Sequence, residues 1–235
     1  YFNPLLVTFT GGEPLLRRDL EGLVAAVDAA VRLKYTTLIT HGGMLTPERA
    51  SSLWAAGVHQ FSISLDYLDG RHDLARGIPG LTAKILAAVD GMRARGIDNI
   101  RFNTVIKDDN LDQLEPIVRR AAELGCGVNF SVYTDAKNGN RDHLLNAPHH
   151  DAVDDVVARL LDYKRRHRGV ITNSDAYLEQ IPRYVRGQLT APCRSGQRTI
   201  HLDPTGHVKR CPDFPTDFHW RDFRRYEPIA VEVDR

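Results

Sequence analysis

The segment LLVTFTGGEPLL, residues 5–16, sets a pattern that much of the chain then repeats. Its apolar beginning, residues 5–9, predicts a buried strand. The pair Gly11–Gly12 predicts a tight turn, because glycine adopts positive φ and lets a ligand approach the backbone closely. Pro14 presets φ for a first helical turn and needs no amide partner there. Glu13 is therefore expected at the carboxyl end of a strand, where α/β sheets and barrels hold their active sites.

Composition places the chain among ordinary globular proteins. It has 235 residues, 42% apolar and 26% charged, enough for one large α/β domain or a domain with a small appendage. The net charge of +1 argues against nucleic acid and anionic membranes as partners, and no apolar run reaches membrane-spanning length. Three cysteines do not make a disulfide framework. We therefore expect a cytoplasmic protein with reduced thiols.

The rest of the chain alternates between strand and helix patterns. Strands are predicted at 36–40, 61–66, 100–106 and 128–133. Helices are predicted at 19–33, 46–56, 81–95 and 111–124, with a polar loop at 67–79. This alternation predicts a parallel sheet with right-handed crossovers, as in a barrel or part of one. After Tyr133 the repeat is expected to stop, and the elements predicted there are helices at 149–167 and 174–186 and a β-hairpin at 198–211.

Four short motifs stand at or near these strands in the order and spacing of one known family. They are Gly11–Glu13, Thr40–Gly42, Ser62–Asp66 and Asn103–Ile106. They resemble the Gly-Gly-Glu, Thr-Asn-Gly, Ser-Leu-Asp and Asn-Thr-Val motifs of the radical S-adenosylmethionine (radical SAM) enzymes, with His41 in place of the family's Asn. The resemblance covers roughly residues 5–135. It implies a partial parallel (β/α) barrel without its first βα unit, followed by a small extension of helices and a β-hairpin.

The resemblance also implies which residues bind S-adenosylmethionine. The motif Gly11–Glu13, followed by Pro14, would hold the amino group of its methionine, since an ammonium seeks carbonyl and carboxylate oxygens. The further implied cofactor residues are Thr40, Ser64 near the carboxylate, Asp66 at the mouth of the site, Asn103 at the ribose or carboxylate, and the backbone of Val132 and Tyr133 at the adenine.

These residues also have structural explanations. Glu13 would suit a helix N-terminus, where the dipole favours an acid. Ser64 and Asp66 would suit a turn that ends a strand. Asn103 would make a hydrogen bond inside the barrel, an explanation that fits it nearly as well as a contact with the cofactor. The sequence alone leaves these alternatives open.

The family resemblance implies an enzyme that uses S-adenosylmethionine and a [4Fe-4S] cluster. Its 5′-deoxyadenosyl radical would abstract hydrogen from a peptide, protein or small-molecule cofactor precursor, with an electron donor such as a ferredoxin or flavodoxin. The family binds this cluster through Cys-x3-Cys-x2-Cys, and that run is absent from the sequence. We therefore expect part of a longer enzyme, inactive as it stands. The alternatives are a non-catalytic remnant that binds a nucleoside or a partner protein, and an iron-free barrel enzyme.

Two cysteines in the C-terminal part indicate a second iron–sulfur site. Cys193 and Cys211 flank the predicted hairpin and resemble the start of a SPASM or twitch extension, which holds auxiliary clusters through thiolates. The alternative is a pair of reduced thiols, because two cysteines alone specify little. The predicted division is 1–146 as the partial barrel, 147–190 as connecting helices and 191–235 as the extension.

Overall fold

Five parallel strands form the main sheet of this computed structural model, which describes residues 4–32, 34–136, 139–188, 199–211 and 218–225. The strands are β1 (Leu6–Phe9), β2 (Tyr35–Thr40), β3 (Gln60–Ser64), β4 (Ile100–Ile106) and β5 (Gly127–Val132). Each strand pairs with the next along the chain, and all four pairings are parallel. The predicted α/β architecture of a partial parallel barrel is confirmed.

Helices connect the strands and continue after them. They are α1 (Leu20–Ala30), α2 (Pro47–Ala56), α3 (Gly70–Arg76), α4 (Leu81–Ala94), α5 (Leu114–Glu123), α6 (His150–Arg166) and α7 (Asp175–Val185). Shorter 3-10 helices occupy Pro14–Leu16, Ala147–His149 and Trp220–Arg225. The start of α2 is as predicted, because Thr46 accepts a hydrogen bond from the Arg49 amide at 3.2 Å and Pro47 takes the first helical position.

Helix α3 shows that the loop predicted at 67–79 is wrong. Asp69 caps the helix by accepting from the Arg71 amide at 3.0 Å, and Gly77 ends it with a φ of 63°. The seven residues of α3 are too few for a clear apolar period, so the two caps are its main sequence signal. The helix matters because its last residue, Arg76, lines the site described below.

The main sheet has an apolar face and a polar face. Along β3, the buried Phe61 and Ile63 alternate with Ser62 and Ser64, because successive side chains of a strand point to opposite faces. The apolar face joins one core with the helices, and each large side chain buried there contributes about 1.5–3 kcal/mol. The polar face is left lining the inside of the incomplete barrel.

A short segment after α6 returns to the sheet beside β5. The Val128 amide donates to the Val170 carbonyl at 2.7 Å, and the Thr172 amide donates to the Val128 carbonyl at 2.9 Å, in a parallel bridge. Asn173 continues the pairing through its side chain, which accepts from the Phe130 amide at 2.7 Å. The five-stranded sheet ends at β5, as the sequence predicts, but the pairing of this short segment after α6 was not predicted.

The C-terminal part contains a small antiparallel sheet of β6 (His201–Leu202), β7 (His207–Lys209) and β8 (Phe218–His219). The predicted hairpin is confirmed for its described residues, since the Gly206 amide donates to the Asp203 carbonyl at 3.0 Å and closes the turn. The third strand was not predicted. In the described ranges, no helix is long and apolar enough to cross a membrane.

Candidate functional site

A cavity of about 400 Å³ lies at the carboxyl ends of β1, β2 and β3. The structure brings four of the predicted residues to its wall: Gly11, Gly12, Thr40 and Ser64. Loops that follow neighbouring parallel strands meet at one edge of a sheet, which is why residues so far apart in sequence come together. His41 and Arg76 also line the cavity.

The two glycines after β1 leave open space in front of the backbone. A Cβ atom added to Gly11 or Gly12 would meet no atom within 4 Å. Gly11 has a φ of 133°, a conformation that other residues rarely adopt. The turn thus exposes backbone groups to the cavity, with room for a ligand to lie against them.

Glu13 links the loops after β1 and β2. One carboxylate oxygen, Oε1, caps the 3-10 helix by accepting from the Leu15 amide at 3.0 Å. The Thr40 hydroxyl lies 2.8 Å from the same oxygen. The other oxygen, Oε2, accepts from the His41 amide at 2.9 Å and lies 3.1 Å from His41 Nε2. Glu13 thus stands at a helix start, as its structural explanation expects, and its further contacts fix the negative charge beside the cavity.

Gly42 makes the turn after β2 possible. It has a φ of 81°, and its amide donates to the Thr40 hydroxyl at 3.0 Å. A Cβ atom at this position would lie 2.7 Å from Ile85 Cγ1 and 3.0 Å from Ile63 Cγ2. Glycine is therefore required both by the backbone conformation and by the packing of α4.

Asp66 lies buried beside the cavity, held in a group of charges. Its Oδ1 accepts from the Val105 amide at 2.8 Å. Its Oδ2 lies 3.2 Å from the Arg76 guanidinium and 3.4 Å from Lys107 Nζ. The Asp66 and Lys107 side chains are 5% and 9% exposed, whereas Arg76 is 33% exposed. Asp66 thus holds Arg76, and Arg76 rather than Asp66 lines the cavity.

Two further side chains surround this charge group without adding charge. The Tyr67 hydroxyl donates to Asp109 Oδ1 at 2.7 Å, and burial raises the pKa of Tyr67. His72 is fully buried, and burial together with the nearby Arg76 lowers the pKa of its imidazole to about 4. Both therefore stay neutral near pH 7.

A row of polar side chains continues from the cavity across the sheet. Ser64 is in register with Asn103, and Asn103 is in register with Asn129. The side-chain amide of Asn129 donates to Asn103 Oδ1 at 3.4 Å. The structural explanation of Asn103 was a hydrogen bond inside the barrel, and that hydrogen bond is present. Asn129 extends this row but was not among the predicted residues.

Val132 ends β5, the last strand of the sheet, and Tyr133 follows it; both are half-buried. The Tyr133 amide donates to the Ile106 carbonyl at 3.0 Å. The Tyr133 ring contacts His143 edge-on, with 5.6 Å between ring centroids. These residues share the carboxyl edge of the sheet with the cavity but are not part of its wall.

The described thiols do not form a site for an iron–sulfur cluster. Cys126 is buried, and burial raises the pKa of its thiol to about 11, whereas a metal ligand must be a thiolate. Cys211 is half-buried and follows β7. Cys193 lies outside the described residues. The catalytic cluster therefore has no ligands of the family's kind in this chain, and the pair predicted for an auxiliary cluster stays a prediction.

Another possible metal ligand group in the described part of the chain is Asp108, Asp109 and His143. Its oxygen and nitrogen ligands are unlike the thiolates of iron–sulfur clusters. These side chains also have protein partners: His143 Nδ1 lies 3.2 Å from Asp108 Oδ1, and Asp109 accepts a hydrogen bond from the Tyr67 hydroxyl.

Comparison with known proteins identifies the family. The model of the Radical SAM superfamily matches residues 5–121, which include all four motifs and the strands that carry them. This chain is a member of the radical SAM superfamily. The predicted resemblance is confirmed, and the sheet described above is the radical SAM partial barrel.

Relatives of this radical SAM protein act on different substrates. The AdoMet-dependent heme synthase of Nitratidesulfovibrio vulgaris is 31% identical over 156 residues, covering 64% of this chain and 41% of the relative. The PqqA peptide cyclase of Gluconobacter oxydans is 30% identical over 214 residues, covering 88% of this chain and 56% of the relative. Both names denote enzymes.

Solved structures share the radical SAM fold. Two crystal structures of Streptococcus suis SuiB, one bound to precursor peptide SuiA and one to S-adenosylmethionine, give TM-scores of 0.65 and 0.62 at 17% and 15% identity. They cover 89% and 91% of this chain, and 49% and 51% of SuiB. This radical SAM chain therefore spans about half the length of the proteins it matches.

Proposed function

We propose that the cavity binds S-adenosylmethionine, with its methionine part over the Gly11–Gly12 turn. The observation that carries this proposal is the placement of opposite charges around open backbone: Glu13 is fixed on one side and Arg76 lines the cavity. The methionine part carries an ammonium and a carboxylate. Glu13 and the turn suit the ammonium, and Ser64 with Arg76 suits the carboxylate.

The other predicted residues take supporting or more distant positions in this proposal. Thr40 and Pro14 hold Glu13 and its helix cap, and Asp66 holds Arg76. Asn103 adjoins Ser64 in register and would contact the ribose. The backbone at Val132 and Tyr133 would meet the adenine.

The proposed activity is that of a radical SAM enzyme in a longer protein. When bound, S-adenosylmethionine and a [4Fe-4S] cluster would supply a 5′-deoxyadenosyl radical that abstracts hydrogen from the substrate. The cluster ligands must come from outside this chain, because it lacks their spacing. The residues described here would bind and orient the cofactor and exclude water. Electrons would come from a donor such as a ferredoxin or flavodoxin.

A peptide is the substrate that the comparisons favour. The match to the PqqA peptide cyclase extends over 88% of this chain, compared with 64% for the heme synthase. SuiB, whose structure holds a precursor peptide, covers 89% of this chain. These longer matches include the helices that follow the barrel, and this supports a peptide substrate over a small-molecule cofactor precursor.

The test of the proposal is a bulky residue at Gly12. In the full-length protein carrying its cluster, Gly12→Val should reduce S-adenosylmethionine affinity by about tenfold or more, because the side chain enters space meant for the ligand. Folding should be spared, since an added Cβ meets no protein atom there. Equilibrium dialysis gives the affinity, and thermal unfolding gives the stability.

Gly22→Val is the matched control. Gly22 lies on α1, where an added Cβ also meets nothing within 4 Å. It should leave the affinity unchanged. If both variants bind S-adenosylmethionine as the unaltered protein does, the cavity is not the cofactor site.

The auxiliary cluster is tested at the cysteines. In the full-length protein, Cys193→Ala or Cys211→Ala should remove the iron of one cluster and leave cofactor cleavage intact, because thiolates are the usual ligands of such clusters. Iron and sulfide analysis after anaerobic reconstitution measures this. Cys126→Ala, which removes a buried thiol with a raised pKa, should keep the full iron content. If both Cys193→Ala and Cys211→Ala keep the full iron content, these cysteines are thiols that bind no cluster.

A further inference from the structure

We infer that His41 is a positioning residue, which orients the Glu13 carboxylate for the cofactor's ammonium through a neutral imidazole carrying its proton on Nε2. The inference rests on the proposed function. It concerns the position where Thr40–Gly42 departs from the family's Thr-Asn-Gly.

The hydrogen bonds around His41 determine where its proton lies. The Gly43 amide donates to His41 Nδ1 at 3.0 Å, so Nδ1 must be unprotonated. A neutral imidazole then carries its hydrogen on Nε2. That nitrogen lies 3.1 Å from Glu13 Oε2, within reach to donate.

His41 holds one carboxylate oxygen with two donors. Its backbone amide lies 2.9 Å from Glu13 Oε2, in addition to the ring contact. The Leu15 amide holds the opposite oxygen, and the Thr40 hydroxyl lies 2.8 Å from Oε1 and 2.9 Å from Oε2. With both oxygens held, the carboxylate cannot rotate, and its orientation is set before a ligand arrives. A neutral ring also leaves the negative charge uncompensated, so that it can attract an ammonium.

Gly43 provides the space that the ring needs. A Cβ atom at Gly43 would lie 2.9 Å from His41 Cε1 and 3.0 Å from His41 Nδ1. Gly43 does not have a positive φ, so its backbone conformation accepts alanine. Gly43→Ala should therefore act by displacing the imidazole, without a backbone penalty of its own.

The first test compares two substitutions at His41 in the full-length protein carrying its cluster. His41→Leu removes the side-chain donor and acceptor and should lower S-adenosylmethionine affinity by about tenfold. His41→Asn supplies both a donor and an acceptor and should restore affinity to within about threefold of the unaltered protein. Equilibrium dialysis measures affinity, and thermal unfolding should show similar melting temperatures.

The second test is a double-mutant cycle with Gly43. Gly43→Ala should weaken binding when His41 is present and have much less effect beside His41→Asn, because the shorter side chain avoids the added methyl group. Equal effects in both backgrounds would overturn the inference. So would unchanged affinity in His41→Leu, or a loss that asparagine does not restore. No binding by the unaltered protein would instead overturn the proposed function itself.

Discussion

Replacing Asp66 with alanine is expected to lower the free energy of unfolding by about 3–5 kcal/mol. The substitution leaves the ammonium of Lys107, which is 9% exposed, without the carboxylate that lies 3.4 Å away. It also removes the acceptor of the Val105 amide. Urea unfolding of the full-length protein at pH 7 measures the loss.

Two further variants make this prediction decisive. Asp66→Asn keeps an acceptor for the backbone and loses only the charge, so it provides a milder variant if alanine prevents folding. Asp162→Ala removes an exposed partner of Arg166 and should cost about 0.3–0.5 kcal/mol. A direct cofactor ligand would behave differently, with weaker S-adenosylmethionine binding and unchanged stability. That result for Asp66 would contradict the role in holding Arg76.

Replacing Glu13 with alanine is expected to weaken S-adenosylmethionine binding by about ten- to a hundredfold. A hydrogen bond to a charged group contributes about 1.5–3 kcal/mol, which corresponds to that range of affinity. Glu13 also caps the 3-10 helix, so some stability should be lost as well. Affinity and melting temperature must therefore be measured on the same full-length protein carrying its cluster.

Glu48→Ala separates the two roles of Glu13. Glu48 lies in the first turn of α2, exposed and paired with Arg95. Losing an acid at a helix start costs about 0.3–1 kcal/mol and should leave cofactor binding alone. If Glu13→Ala resembles this control, with a lower melting point and full affinity, Glu13 is a helix cap and the proposed cofactor site loses its main support.

The strands of the barrel could be predicted because their pattern is local. Apolar residues alternate with more polar ones in 100–106 and 128–133, and this alternation indicates a strand with one buried face. The apolar run at 5–9 also predicted a strand, but its burial was wrong, because β1 alternates between exposed and half-buried residues. Turns were predictable for the same reason: Asp203 and Gly206 close a turn that depends on four adjacent residues. The missed elements are α3, β8 and the segment beside β5, and all of them are too short to show a period.

The candidate site was predictable where a motif ends a strand. Gly11, Gly12, Thr40 and Ser64 meet at one cavity because parallel strands place their carboxyl ends together. Arg76 was missed, since no local feature distinguishes it from the other surface arginines of the chain. Its position depends on α3 and on a buried carboxylate ten residues earlier.

The sequence by itself determined the family, the five strands of the barrel with most of its helices, and the glycines and acid at the cavity. These follow from periodicity and from short motifs, which are properties of neighbouring residues. Only the tertiary structure decided that Asp66 faces Arg76 and Lys107 and that Glu13 is held by both Thr40 and His41. Hydrogen bonds and ion pairs depend on distances and directions between residues far apart in the chain, and those are set when the strands pair and the loops pack.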